Sequence, residues 1–211
     1  MKNTLILSML FLFFLPYSHG QSKEKDTTAL QLYFPVGVLC KDTTRVCPNL
    51  QYSINLFSMK EPVLYTDSSH NEIYRFLWLR TFAHPVTVRI EKQVNKYMLY
   101  WKMFDGKELS GSLIADQQKE IDEVTWNKFH KLLIKTDFWN MEPTQHINSL
   151  CFDGSNWILE GKNGAQYHVV DRWSPSQSSK YYQCCYFLIK LTDYQQIDRN
   201  NSWLPITPKT H

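Results

Sequence analysis

The chain has 211 residues, a formal net charge of +3, and 7 Trp, 12 Tyr and 12 Phe. Both signs of charge are interspersed, and acids interrupt the one basic cluster, Arg75, Arg80, Arg89 and Lys92. With no basic face to follow a phosphate backbone, the sequence offers nothing for nucleic acid, and so many aromatic side chains favour strands and large buried areas.

The chain opens MKNTLILSMLFLFFLPYSHG. A basic start at Lys2, an apolar run from Leu5 to Leu15 and the small residues around Ser18 and Gly20 read as a secretory signal peptide over 1–20. The run is shorter than the ~20 residues of a membrane span. The next residue, Gln21, is not a cysteine that takes a lipid anchor, and no later apolar run crosses a membrane. Residues 21–29 are polar and read as a disordered N-terminal segment. Residues 30–211 then form a single domain.

Leu30–Val38 is expected as a first strand, bent at Pro35. Residues 41–72 give no clear period; they mix an alternating run, QYSINLF, with polar turns. From Ile73 the alternation is firmer. IYRFLWLRTF puts Tyr74, Phe76 and Trp78 on one side and Arg75, Leu77 and Leu79 on the other. VTVRIEKQV places Val86, Val88 and Ile90 inward and Thr87, Arg89 and Glu91 outward. YMLYWKMF is the next strand, Asp105-Gly106 is a tight hairpin turn, and LSGSLIA completes a meander.

Asp122 caps a helix running to about Lys135, with Trp126, Phe129, Leu132 and Leu133 on its apolar side. NWILEGK and QYHVVDRW form a C-terminal hairpin through Asn163-Gly164, and a last helix covers roughly Ser179–Leu191. The order predicts an α+β fold: an antiparallel sheet, made of a meander plus the C-terminal hairpin, with two main helices packed on one face.

In an exported chain the cysteines read as disulfide candidates. Cys40 and Cys47 flank the polar KDTTRV and form the first pair. Cys151 with Cys184, or with Cys185, forms the second, leaving one thiol buried on the last helix. A metal site at Cys40 and Cys47 lacks a CxxC and a nearby His pair, and no other histidine stands at ligand spacing. No metal and no cofactor is expected.

The hairpin holds the chemistry-bearing residues Glu160, His168, Asp171 and Arg172. A two-residue Asn163-Gly164 turn sets Glu160 opposite Tyr167, Leu159 opposite His168 and Trp157 opposite Val170. Glu160 and Asp171 then share one face, and His168 and Arg172 share the other. A three-residue loop reverses this and puts Glu160 beside His168 and Arg172. The first arrangement is a scaffold; the second is the equipment of a general base. No GxSxG, HExxH, P-loop or GxGxxG is present.

YRFLWLRTFAHPVTVRIEK (Tyr74–Lys92) and DGSNWILEGKNGAQYHVVDRWSP (Asp153–Pro175), with DFWNM between them, resemble a family of bacterial exported proteins that has no assigned activity. The resemblance covers about the last two-thirds of the chain after its leader and implies bacterial origin and export. Similar sequences are shorter before the last motif and lack a cysteine like Cys151, so a role for Cys151 is peculiar to this chain.

The expected protein is therefore an exported, non-catalytic binding or structural module in the periplasm or outside the cell. Its partner would be an unidentified protein or envelope ligand met through exposed aromatic and charged residues. One rival is a small metal-independent hydrolase using Glu160, His168 and Asp171 with water. The other is an inhibitor or immunity-type protein that plugs a partner through residues 142–155 or 41–50.

Overall fold

The computed structural model describes residues 31–40, 48–145 and 153–194. The expected signal peptide, the 21–29 segment, Cys47 and Cys151 lie outside them. Of the two loops expected of an inhibitor, 41–50 and 142–155, residues 41–47 and 146–152 lie outside as well.

Among the described residues, six strands form one antiparallel sheet: β1 (Glu72–Arg80), β2 (Ala83–Lys92), β3 (Tyr97–Phe104), β4 (Leu113–Ile121), β5 (Ser155–Asn163) and β6 (Gln166–Trp173). Their order is β4-β3-β2-β1-β5-β6. The first four make the meander, and the β5–β6 hairpin joins it on the free side of β1. Three α-helices are present among the described residues: α1 (Asn49–Ser58), α2 (Glu123–Thr136) and α3 (Lys180–Lys190). The α+β architecture is as expected, and α2 and α3 share one face of the sheet. Among the described residues, no helix is long and apolar enough to cross a membrane.

The face under α2 and α3 is apolar. Tyr74 and Phe76 from β1, Val88 and Ile90 from β2, and Leu159 from β5 meet Trp126, Phe129 and Leu133 of α2 and Cys184, Cys185 and Leu188 of α3. The helix termini follow local chemistry. Asp122 accepts from the Thr125 N–H at the start of α2, and Ser179 accepts from the Tyr182 N–H at the start of α3. Gly161 of β5 is glycine because the Phe138 and Tyr74 rings lie over it; a Cβ there would sit 2.7 and 2.8 Å from them.

Four expectations fail here. Leu30–Val38 is not a strand. The described part is turns and bends, with Gly37 at a φ of +85°, and it inserts Tyr33 and Phe34 into the opposite face of the sheet. The run QYSINLF, read as alternating, lies in α1 (Asn49–Ser58), whose buried side is half polar: Asn49, Tyr52, Ser53 and Leu56. The Asp105-Gly106 turn is the start of a longer connection, since β3 ends at Phe104 and β4 begins at Leu113. Thr87, Arg89 and Glu91, assigned outward, are buried under the segment that follows α1.

The cysteines also need correction. Cys184 and Cys185 are both free and buried. A Cys151–Cys184 disulfide is therefore not formed, because Cys184 points into the core between α2 and α3. Cys40 is disulfide-bonded, and Cys47, the partner expected for it, lies outside the described residues.

Candidate functional site

The hairpin register decides the fate of its polar residues. Asn163 pairs with Gln166, so the turn is Gly164-Ala165, one residue later than expected. Glu160 lies opposite Val169, Leu159 opposite Val170 and Trp157 opposite Arg172. The pairing is thus moved by two residues, which preserves the side of every residue. Glu160, Tyr167 and Asp171 share one face; His168 and Arg172 share the other. The three-residue alternative, which brings Glu160 to His168, is not formed.

Each of these side chains is engaged by protein groups. His168 donates its Nε2 proton to the Met141 carbonyl at 2.9 Å, with its ring against Phe138 and Trp139. Burial holds it below the ordinary imidazole value of 6.5. Arg172 donates to the carbonyls of Glu142 and Asp171 and lies over the Tyr181 ring. Asp171 accepts from the Tyr52 hydroxyl of α1 at 2.9 Å, and burial raises its pKa.

Glu160 belongs to a larger construction that the sequence did not suggest. The register sets Arg75 of β1 between Glu160 of β5 and Arg89 of β2, all on one face. Arg75 donates from Nε to Glu160 at 3.0 Å and from Nη2 to the same carboxylate, and from Nη1 to the Pro62 carbonyl at 2.6 Å. The Tyr167 hydroxyl donates to the other Glu160 oxygen at 2.8 Å. Burial raises the Glu160 pKa, opposed by the Arg75 guanidinium.

The segment after α1 closes over this row. Glu61 reaches Arg89 at 3.0 Å, Lys102 of β3 at 3.3 Å and Arg75 at 3.7 Å. Arg89 also pairs with Glu91 and lies over the Tyr100 ring. Lys102 donates to the carbonyls of Met59 and Lys60, and Lys162 of β5 binds the Ser69 carbonyl and Asp67. Residues 59–69 are thus a strap, fastened to four strands by cations. The sequence shows Arg75, Arg89 and Glu91 alternating with apolar residues, which marks a polar face without saying that a strap covers it.

A separate cavity of about 230 Å³ lies between α1 and the β1–β2 turn, lined by Gln51, Ile54, Asn55, Leu79, Pro85 and Gly106 among others. Phe82, between two further lining residues, Thr81 and Ala83, is 59% exposed. Phe57 of α1 is 48% exposed. Among the described residues no tryptophan is exposed: Trp101, Trp126 and Trp157 are buried, and Trp78, Trp139 and Trp173 are half-buried. The exposed large apolar groups among the described residues are Phe57, Phe82, Tyr65 and aliphatics.

Among the described residues, no three His, Cys, Asp or Glu side chains gather as metal ligands would. No protein-family model matches the chain, and no curated protein matches it either.

Proposed function

We propose that this is an exported protein of the bacterial envelope that works by binding rather than by catalysis. The carrying observation is the division of the hairpin. Its one carboxylate–histidine combination is split across the sheet, with Glu160 held by Arg75 and Tyr167 and His168 held by the Met141 carbonyl. A general base needs its partner within hydrogen-bond reach. The contact region is the cavity beside α1 with exposed Phe82 at the β1–β2 turn, an apolar anchor next to a small concave site. Export rests on the leader-like residues 1–20 and on the resemblance to exported proteins.

The test has two arms. The full chain, expressed in a bacterium, is expected in the periplasmic or extracellular fraction; retention in the cytoplasm contradicts export. The purified protein, immobilised and exposed to envelope extract, is expected to retain a stoichiometric ligand that Phe82→Asp loses while its circular dichroism spectrum stays unchanged. Hydrolysis of an ester, peptide or phosphate substrate that disappears in His168→Gln would overturn the non-catalytic reading.

A further inference from the structure

The strap face contains an unfavourable arrangement that one side chain corrects. Arg75 and Arg89 lie directly opposite each other on neighbouring strands, where like charges destabilise a sheet. Lys102 adds a third buried cation on the same face, two residues along β3 from Tyr100, the partner of Arg89, since it pairs with Thr87. Two of these charges have a carboxylate from the sheet itself: Glu160 for Arg75 and Glu91 for Arg89. Lys102 has none among the described residues except Glu61. Glu61 comes from outside the sheet and touches all three cations. Its side chain is 1% exposed.

We propose that the sheet builds an anion site from Arg75, Arg89 and Lys102, and that Glu61 fills it as an internal ligand. The charge balance defines the ligand class. Within ion-pair distance these three cations meet two sheet carboxylates, while Asp116, opposite Lys102 on β4, is exposed to solvent; one further buried negative charge therefore neutralises the group and a second would exceed it. The geometry agrees: both Glu61 oxygens are used, Oε2 by the arginines and Oε1 by the lysine. The site takes a compact monocarboxylate. Glu61 also sets the position of the strap, because its neighbours Met59, Lys60 and Pro62 give their carbonyls to Lys102 and Arg75. This inference does not rest on the binding function proposed above.

Glu61→Ala tests it. The variant leaves the cations without their shared carboxylate and leaves room for a small one. Thermal unfolding is followed in sodium acetate and sodium chloride of equal ionic strength. The expected result is a lower Tm in chloride and a saturable rise in acetate of about 3–6 °C at tenfold excess over Kd. The wild type is expected to show no difference between the salts, and neither is Glu61→Gln, whose amide still occupies the space. Equal behaviour of Glu61→Ala in the two salts overturns the proposal, as does an acetate response of the same size in the wild type or in Glu61→Gln. Inorganic phosphate matching acetate overturns the monocarboxylate assignment. If Glu61→Ala does not fold in chloride, refolding from urea is compared: recovery in acetate alone supports the site, and recovery in neither salt overturns it.

Discussion

Tyr74 and Arg75 are adjacent in β1 and point to opposite sides of the sheet. Tyr74 enters a group of rings, with Phe129 at 5.3 Å and Phe138 at 6.2 Å between centroids. Arg75 enters a group of charges, with Glu160 and Glu61. Both side chains are essentially inaccessible to water. The helix face is held by area and shape, which tolerate substitution by another apolar residue of similar volume. The strap face is held by geometry and charge, which do not.

The largest expected effects test that contrast directly. Arg75→Met strands Glu160 and leaves Glu61 short of one partner, and should lower the unfolding free energy by about 3–5 kcal/mol in urea. Arg75→Lys should recover little of it, since one ammonium cannot reproduce the fork that meets Glu160 and the Pro62 carbonyl together. Phe129→Ala should cost a similar ~3–5 kcal/mol through its cavity. There Phe129→Leu should recover more than half of the loss, because apolar volume is what the site requires. If the arginine site accepts lysine as readily as the phenylalanine site accepts leucine, the contrast between the faces is wrong.

A smaller effect belongs to neither face. Asp122→Ala removes the cap of α2 and should lower the urea midpoint, by less than either core substitution. Its value is as a reference for an ordinary surface bond.

The smallest effect concerns His168, a polar group on the apolar face. Its pKa is lowered by burial, so the unfolded chain binds the proton more readily than the folded one. The contribution is fully present above the ordinary 6.5 and is lost as pH falls below it. Asp171 and Glu160 are shifted upward and act with the opposite sign at lower pH, where protonation favours the fold. His168→Gln keeps a donor for the Met141 carbonyl and should flatten the stability curve just below pH 6.5. An unchanged slope would mean that the ring titrates as it does in the unfolded chain.

The helix face was legible in the sequence and the strap face was not, for the same physical reason. Val86, Val88 and Ile90 alternate with polar residues, so the apolar side announces itself. The cap at Asp122 and the inward residues of α3 follow standard spacing. The division of Glu160 from His168 was one of two arrangements the sequence left open; the structure takes the two-residue turn, and a register moved by two keeps every side. Arg75, Arg89 and Glu91 looked like a solvated face, since nothing local says that a strap will cover them. The strap's anchor, Glu61, stands 14 residues from Arg75 and 28 from Arg89 in a segment without periodicity. The helix before it hides its amphipathic character behind Asn49 and Ser53, whose polar groups are spent on buried bonds to Phe34 and Tyr33. The β3–β4 loop was missed because Asp105-Gly106 carries the composition of a tight turn while serving a longer one.

The central claim is that the hairpin carboxylate is a structural partner of Arg75. A double-mutant cycle tests it most directly: urea unfolding of the wild type, Arg75→Met, Glu160→Met and the double variant. The expected coupling is about 0.5–3 kcal/mol, with the double variant no less stable than Arg75→Met alone, because the second change removes the stranded charge. Losses that simply add would contradict the account and return Glu160 to the list of groups in need of a function.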